Sequence, residues 1–168
     1  MVLRASDLPP GFVAVRDKTG PYTNSDAIRD KGPKIRQWGR ITGFPAVYRQ
    51  RDVANGSLPG VVLFAADVSV YRTIRGAHAS LVDPRSGCKQ DEVVVPLEGH
   101  RPFASDTLIC TASELVSGAR VRIFRVRWRS GRATGSVAVV MAEGAATAQA
   151  AWAAAVEQNR HMTAGLRS

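Results

Sequence analysis

The residues with the clearest chemistry are arginines, of which six fall within the fourteen residues 119–132 without one acidic side chain. A guanidinium group keeps its charge at physiological pH and binds carboxylate or phosphate oxygens through two parallel hydrogen bonds. The segment therefore contains a candidate anion-binding set for a polyanion or nucleic acid, which consists of Arg122, Arg125, Arg127, Arg129 and Arg132.

The alternation of residues in this segment favours a second interpretation. In a β-strand, successive side chains point to opposite faces. The two faces would carry Arg125, Arg127 and Arg129 on one side and Phe124, Val126 and Trp128 on the other. Sheets that bind single-stranded nucleic acid place aromatic rings among the basic residues, so these arginines are more typical of a solvent-facing strand surface. The apolar positions change parity between Ile123 and Phe124, and we therefore expect a β-bulge there.

Cys88 and Cys110 are the only cysteines of the chain, and the sequence leaves open whether they form a disulfide or remain thiols. In an oxidising compartment a disulfide between them would close a loop of about twenty residues and contribute roughly 3 kcal/mol. Two cysteines are too few for a tetrahedral zinc site. The histidines His78, His100 and His161 do not lie at ligand spacing around them, so we expect no metal site.

Catalytic motifs are missing from the sequence. It contains no G-x-x-x-x-G-K-[ST] phosphate-binding loop, no G-x-S-x-G elbow and no H-E-x-x-H zinc helix. A nucleophile set could be assembled from Cys88, His100 and Asp106, but a structural cysteine is the more common case. We therefore expect a protein that is not an enzyme and carries no cofactor.

Aromatic side chains at strand-like spacing form a candidate pocket set, which consists of Trp38, Tyr48, Tyr71 and Trp128. Rings of this kind either line an apolar ligand pocket or fill the core, and the core is the more common location.

Length and composition predict one domain over residues 1–168, because 168 residues with 45% hydrophobic residues can bury a sizeable core. The formal net charge of +9 favours solubility and non-specific association with anionic partners. No segment is apolar enough for a membrane-spanning helix, and Met1–Pro10 lacks the basic start and apolar run of a secretion signal.

The order of predicted elements indicates the fold class. The apolar run in residues 60–73 is typical of a central strand buried on both faces, and residues 73–83 predict a helix. Residues 119–141 predict a β-hairpin. The alanine-rich segment 146–166 predicts a long helix that ends near Gly165. These elements favour an α+β fold with a central, mostly antiparallel sheet flanked by helices and a long C-terminal helix.

Four quoted segments carry a resemblance to known proteins: SDLPPGF, QWGRITGFPAVYRQ, VVLFAADVSVYRTIRGAHASL, and RVRWRSGRATGSVAVV before the alanine-rich helix. In this order they resemble uncharacterised secreted or lipoprotein domains of actinobacterial and Chloroflexi type. The layout is similar to the PsbP-like α/β sandwich of photosystem-associated PsbP proteins and mycobacterial LpqN-type lipoproteins. This resemblance implies a binding or assembly factor that is secreted or lipid-anchored outside the cytoplasm.

We therefore predict a non-catalytic binding or assembly domain that recognises a protein or a small ligand through its sheet and loops. The alternative is polyanion or nucleic-acid binding through the arginine-rich hairpin 120–132.

Overall fold

A computed structural model describes residues 1–51, 60–83, 88, 92–96, 99, 101–116, 118–145 and 147–167. Its strands are β1 (Phe12–Ala14), β2 (Arg40–Gln50), β3 (Val61–Tyr71), β4 (Val93–Val95), β5 (Ser105–Val116), β6 (Ala119–Ser130) and β7 (Ala133–Ala142). Its α-helices are α1 (Asn24–Lys31), α2 (Lys34–Gln37), α3 (Ile74–Val82) and α4 (Ala148–Arg167), with 3₁₀ turns at Ala5–Asp7, Arg16–Lys18 and Glu143–Ala145.

The described strands form one antiparallel sheet in the order β1-β2-β3-β7-β6-β5-β4. Two meanders, β1 to β3 and β4 to β7, meet where β3 pairs with β7, and these two strands lie at the centre of the sheet. The predicted α+β class, with an antiparallel sheet, flanking helices and a long C-terminal helix, is confirmed.

Strands β6 and β7 form the predicted hairpin. Ser130 pairs with Ala133 across the two-residue turn Gly131–Arg132. The φ angle of Gly131 is 57°, which suits the first position of a type II′ turn, where glycine is preferred. The hairpin brings the arginine-rich strand into the middle of the sheet rather than to its edge.

The predicted bulge near Ile123 and Phe124 is wrong, because β6 pairs with β5 and β7 in unbroken register at both residues. The prediction assumed that only one face of β6 is covered. In the structure Val121 and Phe124 are both buried although they point to opposite faces, so no change of parity is required.

Helix α4 covers one face of the sheet over β6 and β7. Its buried side chains include Ala155 and Met162, while Phe103 packs edge-on against Trp128 and Trp152, with ring centroids 5.4 and 5.0 Å apart. The helix continues through Gly165, so the predicted end at that residue is wrong. We attribute the continuation to this packing, which outweighs the helix-propensity cost of one glycine, about 1 kcal/mol.

Helix α3 covers the opposite face of the sheet, which is more polar. The Tyr71 hydroxyl lies 2.6 Å from the Ser80 hydroxyl, and Arg127 donates a hydrogen bond to the Leu81 carbonyl. The buried polar side chains of the sheet on this side are Arg40, Ser69, Arg127, Thr134 and Ser136. The molecule therefore has an apolar layer beneath α4 and a polar layer beneath α3.

Candidate functional site

Residues 1–8, here called the N-terminal segment, cross the sheet beside α4. Leu3 is fully buried, and its backbone is held from two sides: the Tyr48 hydroxyl donates to its carbonyl at 2.6 Å, and its N–H donates to the Gln158 Oε1 at 3.4 Å. Leu8 is also buried. These contacts hold the segment above β2 without filling the space between segment and sheet.

An apolar pocket of about 760 Å³ lies between the N-terminal segment and strands β2 and β3. Helix α4 packs over β6 and β7, so the same sheet face over β2 and β3 is left open. Phe44, 38% exposed, lies on the pocket wall. The residues that line the pocket are Met1, Val2, Leu3, Arg4, Ala5, Ala14, Thr19, Pro21, Thr42, Gly43, Phe44, Tyr48, Val68 and Val70.

Most of the polar groups on the pocket wall are already engaged. The Thr19 hydroxyl donates to the Val47 carbonyl and accepts the Val47 N–H, and the Tyr48 hydroxyl is used by Leu3. Among the described lining residues, Arg4 carries the one charged side chain. The wall can therefore accept an apolar group, and the Arg4 guanidinium is available for a negatively charged end.

The candidate pocket residues do not come together. Tyr48 lines the pocket, whereas Tyr71 is buried on the α3 face. Trp128 lies beneath α4, where its Nε1 donates to the Asn159 Oδ1 at 3.0 Å. Trp38 directly follows α2, and its backbone carbonyl lies against Gly76 of α3. Strand parity places Tyr48 and Trp128 on the α4 face and Tyr71 on the α3 face, while Trp38 lies outside the strands, so the four residues do not line one common pocket.

The arginines of β6 lie on the face predicted for them, but that face is not solvent-facing. Arg127 is only 8% exposed, because α3 covers it. Burial lowers the pKa of Arg127, although the negative charge of Asp67 acts in the opposite direction. Arg125 donates to the buried Glu92 at 3.0 Å, and Arg129 donates to Asp106 at 2.6 Å. The three guanidinium groups are therefore engaged within the fold.

The remaining two candidate arginines are more accessible. Arg122 is 38% exposed and lies 3.6 Å from Glu143. Arg132 is exposed in the hairpin turn, and its side chain makes no ion pair with any described residue. Anion binding by the whole candidate set stays a prediction, and the packing of Arg127 and its neighbours weakens it.

Cys88 and Cys110 form a disulfide, with Cα atoms 5.6 Å apart. Cys110 is fully buried on β5 and pairs with Arg125 across the ladder. The thiol nucleophile considered for Cys88 is therefore not available. Asp106 instead binds His78 and Arg129, and His100 lies outside the described residues.

The residues that build the pocket have no recognisable pattern in the sequence. Met1–Ala5 contains no signal beyond its apolar side chains, and Phe44 and Val70 are ordinary strand residues. Of the candidate pocket residues, Tyr48 is the one that lines this pocket. The pocket depends on where the N-terminal segment crosses the sheet, and no local pattern encodes that position.

No protein-family model matches the chain, and no curated protein matches it. The resemblance to PsbP-like and LpqN-type domains therefore stays a prediction. Among the helices that the structure describes, none is long and apolar enough to cross a membrane.

Proposed function

We propose that the protein is a non-catalytic binding domain that holds a small, largely apolar ligand in the pocket beneath its N-terminal segment. The observation that carries this proposal is the pocket of about 760 Å³ with its mostly apolar wall. Ligand pockets usually measure about 300–1,000 Å³ and combine apolar walls with a few polar groups that orient the ligand. The pocket has this size and composition.

The chemistry of the ligand follows from the wall. Because the Thr19 and Tyr48 hydroxyls are engaged by the protein, the ligand is bound mainly by burial of apolar surface, worth roughly 25 cal/mol per Å². Arg4 can pair with a carboxylate or another anionic end group. An alkyl or aryl compound with one acidic end fits both features.

An extracytoplasmic location is part of the same proposal. The Cys88–Cys110 disulfide supports it, because disulfides persist mainly in oxidising compartments.

Binding is tested with the neutral fluorescent dye N-phenyl-1-naphthylamine, which brightens in apolar sites, followed by displacement with alkyl carboxylates and alkyl alcohols of equal length. We expect saturable dye binding that both series displace. Thr42→Trp, placed on the pocket wall at an exposed position, is expected to abolish binding. Ile41→Trp is the matched control, since Ile41 is the neighbouring residue and does not line the pocket.

Two results contradict the proposal: no saturable dye binding by the native protein, or equal binding by the Thr42→Trp variant. Arg4→Gln tests the acidic end separately. We expect this substitution to lower the affinity for alkyl carboxylates by at most about fivefold, because exposed ion pairs contribute about 0.2–1 kcal/mol. The affinity for alkyl alcohols is expected to stay unchanged.

A further inference from the structure

Three side chains from distant parts of the sequence converge where the N-terminal segment meets α4. Asp7 lies in the 3₁₀ turn of the segment, and Glu157 and His161 lie one turn apart on α4. The His161 Nε2 is 3.3 Å from the Asp7 Oδ2 and 3.2 Å from the Glu157 Oε1, and all three atoms lie within 4.8 Å of one another. We propose that Asp7, Glu157 and His161 bind a divalent transition-metal ion such as zinc.

His161 provides evidence for a metal site that the two carboxylates alone would not provide. Its Nε2 is buried and has no hydrogen-bond partner among the described residues, although two carboxylate oxygens lie close to it. The one Nε2–H is not aligned with either oxygen. A cation between the three atoms would contact the nitrogen and both carboxylate oxygens at once.

The spacing also fits zinc chemistry. Zinc binds histidine nitrogen and carboxylate oxygen at about 2.0–2.2 Å in tetrahedral geometry, which places neighbouring ligand atoms about 3.3–3.6 Å apart. The separations from Nε2 to the Asp7 and Glu157 oxygens, 3.3 and 3.2 Å, are close to this range, and the two carboxylate oxygens lie within 4.8 Å of each other. Three protein ligands leave a fourth position for water or another ligand.

Neighbouring groups orient the carboxylates without closing the site. The Arg4 N–H donates to the Asp7 Oδ2 at 2.6 Å, and Arg160 donates to both oxygens of Glu157. Outer hydrogen bonds of this kind commonly fix metal ligands. The Arg160 side chain is 72% exposed, so it can move away when a metal ion binds. A bound ion would then link α4 to the segment that walls the pocket.

The test uses Co²⁺ and Zn²⁺ on the full chain after treatment with chelator. We expect Co²⁺ to give the visible absorption of tetrahedral cobalt, Zn²⁺ to displace it, and Zn²⁺ to raise the melting temperature by mass action. Mg²⁺ and Ca²⁺ are expected neither to displace Co²⁺ nor to raise the melting temperature, because they prefer all-oxygen sites. His161→Asn is expected to abolish all three effects.

His78→Asn is the matched control, because His78 also lies beside a carboxylate, with its Nδ1 2.9 Å from Asp106. If His161→Asn does not fold, Glu157→Gln replaces it, with an expected loss of zinc affinity of about tenfold or more. Absence of cobalt absorption and of zinc stabilisation in the native protein overturns the proposal, and so does their persistence in the ligand variant. Dye binding measured in chelator separates this outcome from failure of the proposed ligand pocket.

Discussion

Asp106 adopts a backbone conformation that is unusual for a residue other than glycine, with a φ angle of 54°. Aspartate and asparagine tolerate this region better than most residues. The position falls where pairing between β5 and β6 is irregular, between Ser105 and Leu108. The conformation places the carboxylate between His78 on α3 and Arg129 on β6, so a single residue connects the helix to the sheet.

The hydrogen bond from His78 and then that from Arg129 hold the pKa of Asp106 below its ordinary value. A carboxylate with a lowered pKa in the folded state stabilises the fold above its unfolded pKa, near 4, and this stabilisation is lost as the pH falls further. We therefore expect the free energy of unfolding of the native protein to fall from about pH 5 towards pH 2 more steeply than that of Asp106→Asn.

Urea unfolding across this pH range measures the effect. Asparagine keeps the tolerance for positive φ and removes only the charge. Asp17→Asn is the control, because Asp17 is exposed and makes no ion pair with a described residue. If the free energy of unfolding falls equally with pH in the native protein and in Asp106→Asn, the Asp106 carboxylate does not stabilise the fold.

At the scale of elements, the contact between α4 and the sheet depends on a glycine in β7. Gly135 pairs with Trp128 across the β6–β7 ladder, and a methyl group at this position would collide with the Trp128 ring and the Met162 sulfur. The indole therefore lies over the strand backbone, where its Nε1 reaches Asn159 of α4. One small residue allows helix, indole and strand to pack closely.

Gly135→Ala is expected to destabilise the fold by about 1–3 kcal/mol, because overpacking a filled core forces side chains or backbone to shift. Denaturant unfolding followed by tryptophan fluorescence measures this change. Gly144→Ala is the control, since a methyl group there meets no neighbouring atom. If both variants lose the same stability, the close approach at Gly135 is not its cause.

At the scale of the whole molecule, the disulfide attaches Cys88, in the chain after α3, to the second half of the sheet. It joins residues 22 positions apart, and the same region carries Glu92, whose side chain is only 2% exposed and accepts a hydrogen bond from Arg125. The covalent link thus holds a buried carboxylate above an arginine of the central hairpin.

Reduction of the disulfide is expected to lower the free energy of unfolding by about 3 kcal/mol, the loop-entropy value for a closed loop of this length. Urea unfolding with and without dithiothreitol gives the difference. The double variant Cys88→Ala, Cys110→Ala is expected to have the reduced stability in both conditions. An oxidised protein that is no more stable than the reduced one would show that the bond does not constrain the chain.

Local patterns in the sequence were sufficient to predict the β6–β7 hairpin, the C-terminal helix and the fold class. The hairpin around Gly131 and the alanine-rich helix follow from residues only a few positions apart, because turn preferences and helix periodicity act over that range. The division of arginines and aromatics between the two faces of β6 follows in the same way from strand alternation.

The covering of each sheet face depends on contacts between distant parts of the chain. The alternation of residues in β6 predicts that Arg127 faces solvent, yet α3 packs over it. Tyr48 reaches the pocket because the N-terminal segment crosses its strand, and Asp7 meets His161 across 154 residues of chain. Such contacts depend on the order of the strands in the sheet and on the sheet face that each helix covers. No short stretch of sequence contains that information.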